Sequence, residues 1–273
     1  MTEMREKPKR TWSEHPAWMR LGVASGIAAL LIIYLPLLWL VVMSVSAEPL
    51  SGFPGPYTLR WYEALSGNGN WLAPLGLSLG IAALVAVVCM LTAALVGRAI
   101  PRLLRGRNVL LASTLLPLMV PGVVVGTALF LYFRVLFGLK LGFWSLVIGH
   151  FVWSFPFTLL AVLVVSLRFD TRLLDVAADL GAGRLRRFVD IEFPLLRDGI
   201  VAGGLFAFLL SFNEIARSVF LRGREETLPI YLWQQAASHS SSVPLIYALN
   251  VIILAASTAL VGVAFWLLFA RRK

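Results

Sequence analysis

This sequence contains almost no cysteine and few charged residues. Of its 273 residues one is a cysteine, Cys89, and only 14% are charged, whereas 59% are hydrophobic. A soluble domain carries about a quarter charged residues and about half apolar ones. The composition therefore excludes a single water-soluble globule. A lone thiol excludes disulfides within the chain and cysteine-based metal sites, so we predict that Cys89 is a small buried apolar residue.

Long apolar runs account for the hydrophobic content and predict a membrane protein that crosses the bilayer several times. A helix needs about 20 consecutive apolar residues to span the hydrocarbon core. The runs lie at about 21–46, 72–97, 109–137, 143–167, 200–221 and 245–270. We therefore predict an all-α fold with six transmembrane helices. The first run exceeds the short apolar core of a secretory signal, which favours an uncleaved helix, although small residues near Ser46 leave cleavage as an alternative.

The distribution of positive charge predicts the orientation of these spans. The net charge is +10, and 18 of the 24 Lys and Arg lie in the N-terminal tail, in residues 98–108 and 168–199, and at 271–273. Basic residues are enriched in cytoplasmic loops. We therefore expect cytoplasmic tails, 1–20 and 271–273, on either side of a six-span domain, 21–270, which in a bacterium would lie in the inner membrane. Because the basic residues lie beside the apolar runs, no nucleic-acid partner is expected.

Among the prolines inside predicted spans, Pro117 and Pro121 lie in the third and Pro156 lies in the fourth. Proline removes a backbone N–H, so neighbouring helices or water must compensate for the lost hydrogen bond. We predict kinked or broken helices around a central path. The alternative is that each proline only shapes the packing of its helix.

The loop at about 168–199, between the fourth and fifth spans, contains two short helical patterns. Apolar residues of the first follow i, i+3, i+4, i+7 spacing, which gathers them on one face: Leu173, Val176, Ala177 and Leu180. The second contains Leu185, Phe188 and Val189, with Arg186 and Asp190 as a possible i, i+4 ion pair. Gly181 lies between them, where glycine can take the left-handed conformation that ends a helix. The apolar face can pack on the chain's own spans or enter a partner, and a solvated connector is the alternative.

The segment from Asp175 to Ala182, Asp-Val-Ala-Ala-Asp-Leu-Gly-Ala, with Phe188 and Pro194 after it, resembles the E-A-A-x-x-x-G signature of permeases in binding-protein-dependent ABC importers. Asp175 stands where that signature usually has Glu, and Val176 replaces its first alanine. Three further stretches are similar to the spermidine/putrescine-type permease subfamily: 116–126, Ser211-Phe-Asn-Glu, and 227–233.

This resemblance implies an ABC type I importer permease fold and a coupling helix docked in a cleft of the ATPase subunit. The residues it implies for coupling are Asp175, Ala177, Ala178, Leu180, Gly181, Ala182, Phe188 and Pro194. The implied partners are a homologous permease, two ATPase subunits, a periplasmic binding protein and membrane lipid. The implied solute is a polyamine, with ferric iron, thiamine, aminophosphonates and opines as alternatives.

Two ionisable residues, Glu214 and Arg217, fall inside the fifth apolar run, where a charge is costly and normally faces a partner charge or water. They can pair with each other, or they can line a water-filled path with Ser211 and Asn213. We predict that these four residues line the path and that Asn213 and Glu214 contact a cationic or polar solute, although Arg217 partly cancels the field that would attract a cation. His150, in the fourth run, is predicted to be a hydrogen-bonded packing residue.

The sequence contains neither a phosphate-binding loop of the G-x-x-x-x-G-K-[ST] type nor metal-ligand spacing. We expect no cofactor, no metal and no enzymatic activity, with ATP hydrolysed on a separate subunit. The rival hypothesis is an ion-gradient-driven transporter, which the scarcity of intramembrane carboxylates disfavours.

Overall fold

A computed structural model describes residues 17–103, 105–170, 172–238 and 243–270, so most of both predicted tails lies outside it. Within these ranges the regular structure is helical, apart from an isolated bridge between Ser46 and Tyr57. The helices are α1 (Ala17–Ser44), α2 (Arg60–Gly67), α3 (Leu72–Ala99), α4 (Arg107–Leu115), α5 (Gly122–Phe130), α6 (Phe143–Ser166), α7 (Arg172–Asp179), α8 (Arg184–Arg187), α9 (Phe193–Phe212), α10 (Ser218–Leu221), α11 (Leu228–Ser238) and α12 (Val243–Ala270).

Five helical segments are long and apolar enough to cross a membrane: Met19–Ser44, Gly69–Ala99, Phe143–Ser166, Arg184–Phe212 and Val243–Val263. A sixth candidate consists of two pieces, Arg107–Met119 and Gly122–Leu136, which meet at 100°. If the bent pair counts as one span, the total is six, as predicted. The all-helical membrane architecture is confirmed.

The core of the fold is a bundle of α3, α6 and α9. Apolar residues from these helices pack together, among them Ile81, Val85 and Leu146, and Cys89 is fully buried with them, as expected. Two glycines let the backbones of α6 and α9 approach closely. A Cβ added to Gly203 would lie 2.9 Å from the carbonyl oxygen of Thr158, and one on Gly199 would lie 3.0 Å from that of Ala161. These contacts fix the spacing of the two helices.

The third predicted span is broken at Val120 and Pro121, which confirms the prediction of broken helices for this span. Val120 takes an extended conformation with ψ of 130°, because the residue before proline disfavours the helical region. Pro121 then lies at the N-terminus of α5, where its missing N–H leaves no hydrogen bond unmade. After α5 the chain continues as a π-helical turn, Leu131–Leu136.

The prediction of the fifth span, 200–221, is wrong at its C-terminal end, because the helix stops before residue 221. Helix α9 ends at Phe212, and residues 213–217 form a turn that precedes the short helix α10. The Oε1 atom of Glu214 accepts a hydrogen bond from the backbone N–H of Arg217 at 2.9 Å. A side chain thus replaces the carbonyl acceptor that a continuing helix would supply. At its other end this span is longer than predicted, because α8, a π-helical segment (Phe188–Glu192) and α9 follow one another without a break.

Candidate functional site

The apolar face predicted for α7 is exposed. Leu173, Val176 and Leu180 are 49%, 57% and 83% exposed, respectively, so they do not pack on the chain's own spans. Asp175 and Ala178 are also exposed, whereas Ala177 is half-buried. Apolar side chains gathered on one exposed face typically mark a protein interaction surface. The geometry therefore favours insertion into a partner over packing against this chain.

Gly181 ends this segment in the conformation predicted for it. Its φ is +84°, in the left-handed region, and its backbone N–H donates to the carbonyl of Ala178 at 2.8 Å. Ala182 N–H donates to the carbonyl of Ala177 at 2.9 Å, which completes a glycine-type helix end. Within the described part of the chain, a Cβ added at Gly181 would meet no atom within 4 Å. The turn therefore presents bare backbone to whatever lies beside it.

The turn leads directly into the helix that crosses the membrane. Arg187 of α8 donates from Nη1 to the carbonyl of Leu174 in α7 at 3.2 Å, which ties the two short helices together. The predicted Arg186–Asp190 pair forms at 3.3 Å on the exposed side. Pro194 lies in the first turn of α9, the position where proline is tolerated in a helix. We call α7, the Gly181 turn and α8 the coupling segment, after the role that the sequence resemblance implies for them.

A buried carboxylate that was not predicted from the sequence lies just after the coupling segment, at the end of the π-helical segment that joins α8 to α9. Glu192 is 2% exposed, and its two oxygens accept from Arg98 Nε at 3.1 Å and Nη2 at 2.8 Å, and from Arg102 Nη2 at 2.6 Å. The guanidinium of Arg98 also lies 4.7 Å from the ring centroid of Phe188. We call Arg98, Arg102 and Glu192 the arginine clamp. Glu192 lies 94 residues after Arg98 and 90 after Arg102 in sequence, so no local pattern indicates its contact with them.

A cavity of about 500 Å³ lies where the two broken helices meet. Its lining combines apolar side chains with an indole, an amide and an ion pair: Gly122, Trp153, Phe206, Leu209, Leu210, Asn213, Glu214, Ile215, Ala216 and Arg217. Three of the four predicted path residues, Asn213, Glu214 and Arg217, are therefore brought together at one cavity. Asn213 is exposed, and its side-chain amide donates to the carbonyl of Leu209 at 2.9 Å.

Glu214 and Arg217 form a buried ion pair in the turn. Arg217 donates from Nη1 to Glu214 Oε2 at 2.8 Å, while its backbone N–H binds Oε1. The guanidinium also lies over Trp153, 4.2 Å from the ring centroid. Arg217 thus engages both the carboxylate and the aromatic face that could otherwise bind a cationic solute. The pair contributes no net charge to the cavity.

Ser211, the fourth predicted path residue, is buried and hydrogen bonded to His150. Nδ1 of His150 lies 2.8 Å from Ser211 Oγ, and Nε2 lies 2.8 Å from Ser218 Oγ. Ser218 Oγ is also 2.9 Å from the carbonyl oxygen of Glu214. One imidazole therefore bridges the end of α9 and the start of α10. The prediction of His150 as a hydrogen-bonded packing residue is confirmed.

Comparison with known proteins identifies the family. Residues 90–273 match the family described as "Binding-protein-dependent transport system inner membrane component". The chain is 30% identical over 245 residues to the spermidine/putrescine transport system permease protein PotC of Escherichia coli strain K12, covering 89% of this chain and 91% of the relative. It is 28% identical over 231 residues to PotC of Haemophilus influenzae, covering 84% and 89%.

A putrescine transport system permease protein, PotI of Escherichia coli strain K12, is 28% identical over 249 residues, covering 88% of each chain. The resemblance to ABC importer permeases is confirmed. Subunits of this family are not themselves catalytic and work with an ATPase and a binding protein. The family match covers more than half of the chain and includes α6, α9 and the coupling segment. The protein therefore belongs to the family of multi-pass inner-membrane permease components of binding-protein-dependent ABC importers.

Proposed function

We propose that this chain forms half of a polyamine translocation path and that its coupling segment docks into an ATPase subunit. The observation that carries the docking proposal is the exposed apolar face of Leu173, Val176 and Leu180 beside the bare turn at Gly181. Asp175, Ala177, Ala178, Ala182, Phe188 and Pro194 complete the proposed docking region. The second permease is a homologous chain, and two ATPase subunits each receive one coupling segment.

The choice of a polyamine rests on the relatives, which are named as spermidine/putrescine and putrescine transport system permeases. The cavity at the broken helices is the proposed place of solute contact, through Asn213 and Glu214. Because Arg217 is paired with Glu214, this half of the path would offer a passing amine only weak attraction. Weak attraction suits a path, since a solute must leave it as readily as it enters.

Reconstitution of the complete importer tests the proposed function. The chain is combined in proteoliposomes with the permease, the ATPase and the binding protein encoded beside it, and supplied with spermidine or putrescine. We expect the polyamine-loaded binding protein to stimulate ATP hydrolysis and ATP-dependent uptake. A binding protein that takes up ferric iron, thiamine, an aminophosphonate or an opine instead of a polyamine would contradict the proposed solute. Gradient-driven uptake by this chain alone would contradict the proposed mechanism.

We further propose that both termini and the coupling segment are cytoplasmic, on the strength of the positive-charge distribution. Single cysteines introduced by Ser66→Cys and Gly183→Cys test this orientation, because both sites are exposed and the native Cys89 is fully buried. In intact cells a membrane-impermeant maleimide should label Ser66→Cys strongly, and Gly183→Cys only after permeabilisation. Labelling the unmodified chain measures the background from Cys89. The reverse pattern would invert the proposed topology.

A further inference from the structure

The arginine clamp lies where the coupling segment becomes α9. Glu192 is the residue immediately before α9, while Arg98 lies in the last turn of α3 and Arg102 just after that helix. The clamp therefore connects two of the three bundle helices at the end where the coupling segment projects. Arg102 Nη1 also donates to the carbonyl of Arg98 at 2.6 Å, so the two arginines are held to each other as well as to Glu192.

The geometry of the clamp fixes direction as well as distance. Arg98 binds Glu192 through two parallel N–H groups, a bidentate arrangement that defines the orientation of both side chains. The Phe188 ring beneath the Arg98 guanidinium adds a contact four residues before Glu192. An apolar contact of the same size would bury α9 against α3 equally well but would permit sliding. The clamp thus resists rotation of α9 relative to α3.

The coupling segment is joined to this clamp by a short path. The Arg187–Leu174 hydrogen bond attaches α7 to α8, and α8 continues through the π-helical segment to Glu192. Displacement of α7 is therefore carried along one continuous helical run to α9 and, through the clamp, to α3. Without the clamp, only the packing of α9 on α3 and α6 would carry the displacement further.

We infer that Glu192 is a positioning residue for energy coupling, through which movement of the coupling segment turns α3 and α9 as one body. This inference rests on the docking of the coupling segment proposed above. Glu192 touches neither solute nor nucleotide in this role. It acts by transmitting the ATPase's movement to the helices that enclose the path. Its loss should separate ATP hydrolysis from transport without releasing the ATPase.

The test is Glu192→Gln in the complete reconstituted importer, with uptake per ATP hydrolysed as the readout. The substitution is nearly isosteric, and the side chains of Arg98 and Arg102 are each 35% exposed, so water can solvate the charges left behind. We expect the ATPase to co-purify with the variant and hydrolysis to continue. Spermidine uptake per ATP should fall by about fivefold or more, the lower end of typical coupling effects between sites.

The matched control is Asp190→Asn, which breaks the exposed Arg186–Asp190 pair two residues away and should leave uptake per ATP unchanged. Should Glu192→Gln not accumulate in the membrane, Arg102→Gln carries the test, since it keeps the bidentate Arg98–Glu192 contact and should lower the ratio less. An unchanged ratio in the membrane-inserted variant would overturn the inference. Loss of ATPase co-purification with Glu192→Gln would also overturn the inference. Failure of the docking proposal would be seen in a different variant, because Gly181→Trp would then bind the ATPase normally.

Discussion

Gly181→Trp is expected to abolish solute transport while leaving the protein inserted in the membrane. A Cβ added at Gly181 has no neighbour within 4 Å among the residues that the structure describes, so we expect a larger side chain there to clash with a docked partner. An indole at an interface that needs close backbone approach should cost at least the roughly 2 kcal/mol that marks an interface hot spot. That cost lowers ATPase affinity by more than about tenfold. Co-purification of the ATPase and spermidine uptake measure the two effects.

The effect of backbone strain must be distinguished from that of a clash with the partner. Gly181 has a φ of +84°, and a tryptophan in this left-handed conformation costs about 1–2 kcal/mol. Gly106→Trp is the matched control. Gly106 has a φ of +77° and likewise no atom within 4 Å, but it lies outside the coupling segment. It should show the same small loss of abundance with normal ATPase binding. Normal transport by Gly181→Trp would disprove the docking assignment.

Glu214→Gln is expected to lower the abundance of the folded protein severalfold. The carboxylate accepts two hydrogen bonds from Arg217, and the two residues are only 6% and 3% exposed. Removing one partner of a buried ion pair costs about 3–5 kcal/mol, because the remaining charge stays buried without compensation. Arg217→Gln should have a similar effect. Membrane abundance and thermal unfolding in detergent are the measurements.

The double variant Glu214→Gln with Arg217→Gln separates the structural role of the pair from contact with solute. With no charge left unpaired, abundance should return toward that of the unmodified protein. We expect polyamine transport to stay reduced, because the cavity then lacks the carboxylate that faces it beside Asn213. Asn213→Ala serves as a second probe, since it alters the cavity without touching the ion pair. Full transport by the double variant would assign Glu214 a structural role only.

The features that could be predicted from the sequence are those with a local signature. Apolar run length predicted the spans, and the left-handed turn at Gly181 followed from a glycine between two amphipathic patterns. The break at Pro121 was also within reach, because proline restricts the residue before it. The end of α9 at Phe212 was not, since apolar content remains high through Leu221. What ends the helix is one carboxylate binding a backbone N–H three residues later.

Long-range polar contacts explain most of what sequence reasoning missed. Glu192 reads as an ordinary charge in a loop, and only the fold brings Arg98 and Arg102 to it across 90 or more residues. The same holds for Gly199 and Gly203, which allow the backbone of α6 to approach closely. Their spacing in the sequence does not identify the helix that they contact. For the path, the sequence left pairing of Glu214 with Arg217 open as one of two alternatives, and the structure contains that pair. Residue types could not indicate that Trp153 stacks on the arginine.

The imidazole of His150 has a consequence for how the importer can bend. A break in a membrane helix can act as a hinge. At the break between α9 and α10, however, the His150 ring is hydrogen bonded to Ser211 on one side and to Ser218 on the other. The Glu214–Arg217 pair closes the turn between them. Swinging α10 away from α9 would require several buried hydrogen bonds to break together, without water to replace them. The break between α9 and α10 is therefore rigid, and we expect any conformational change during transport to bend this chain elsewhere.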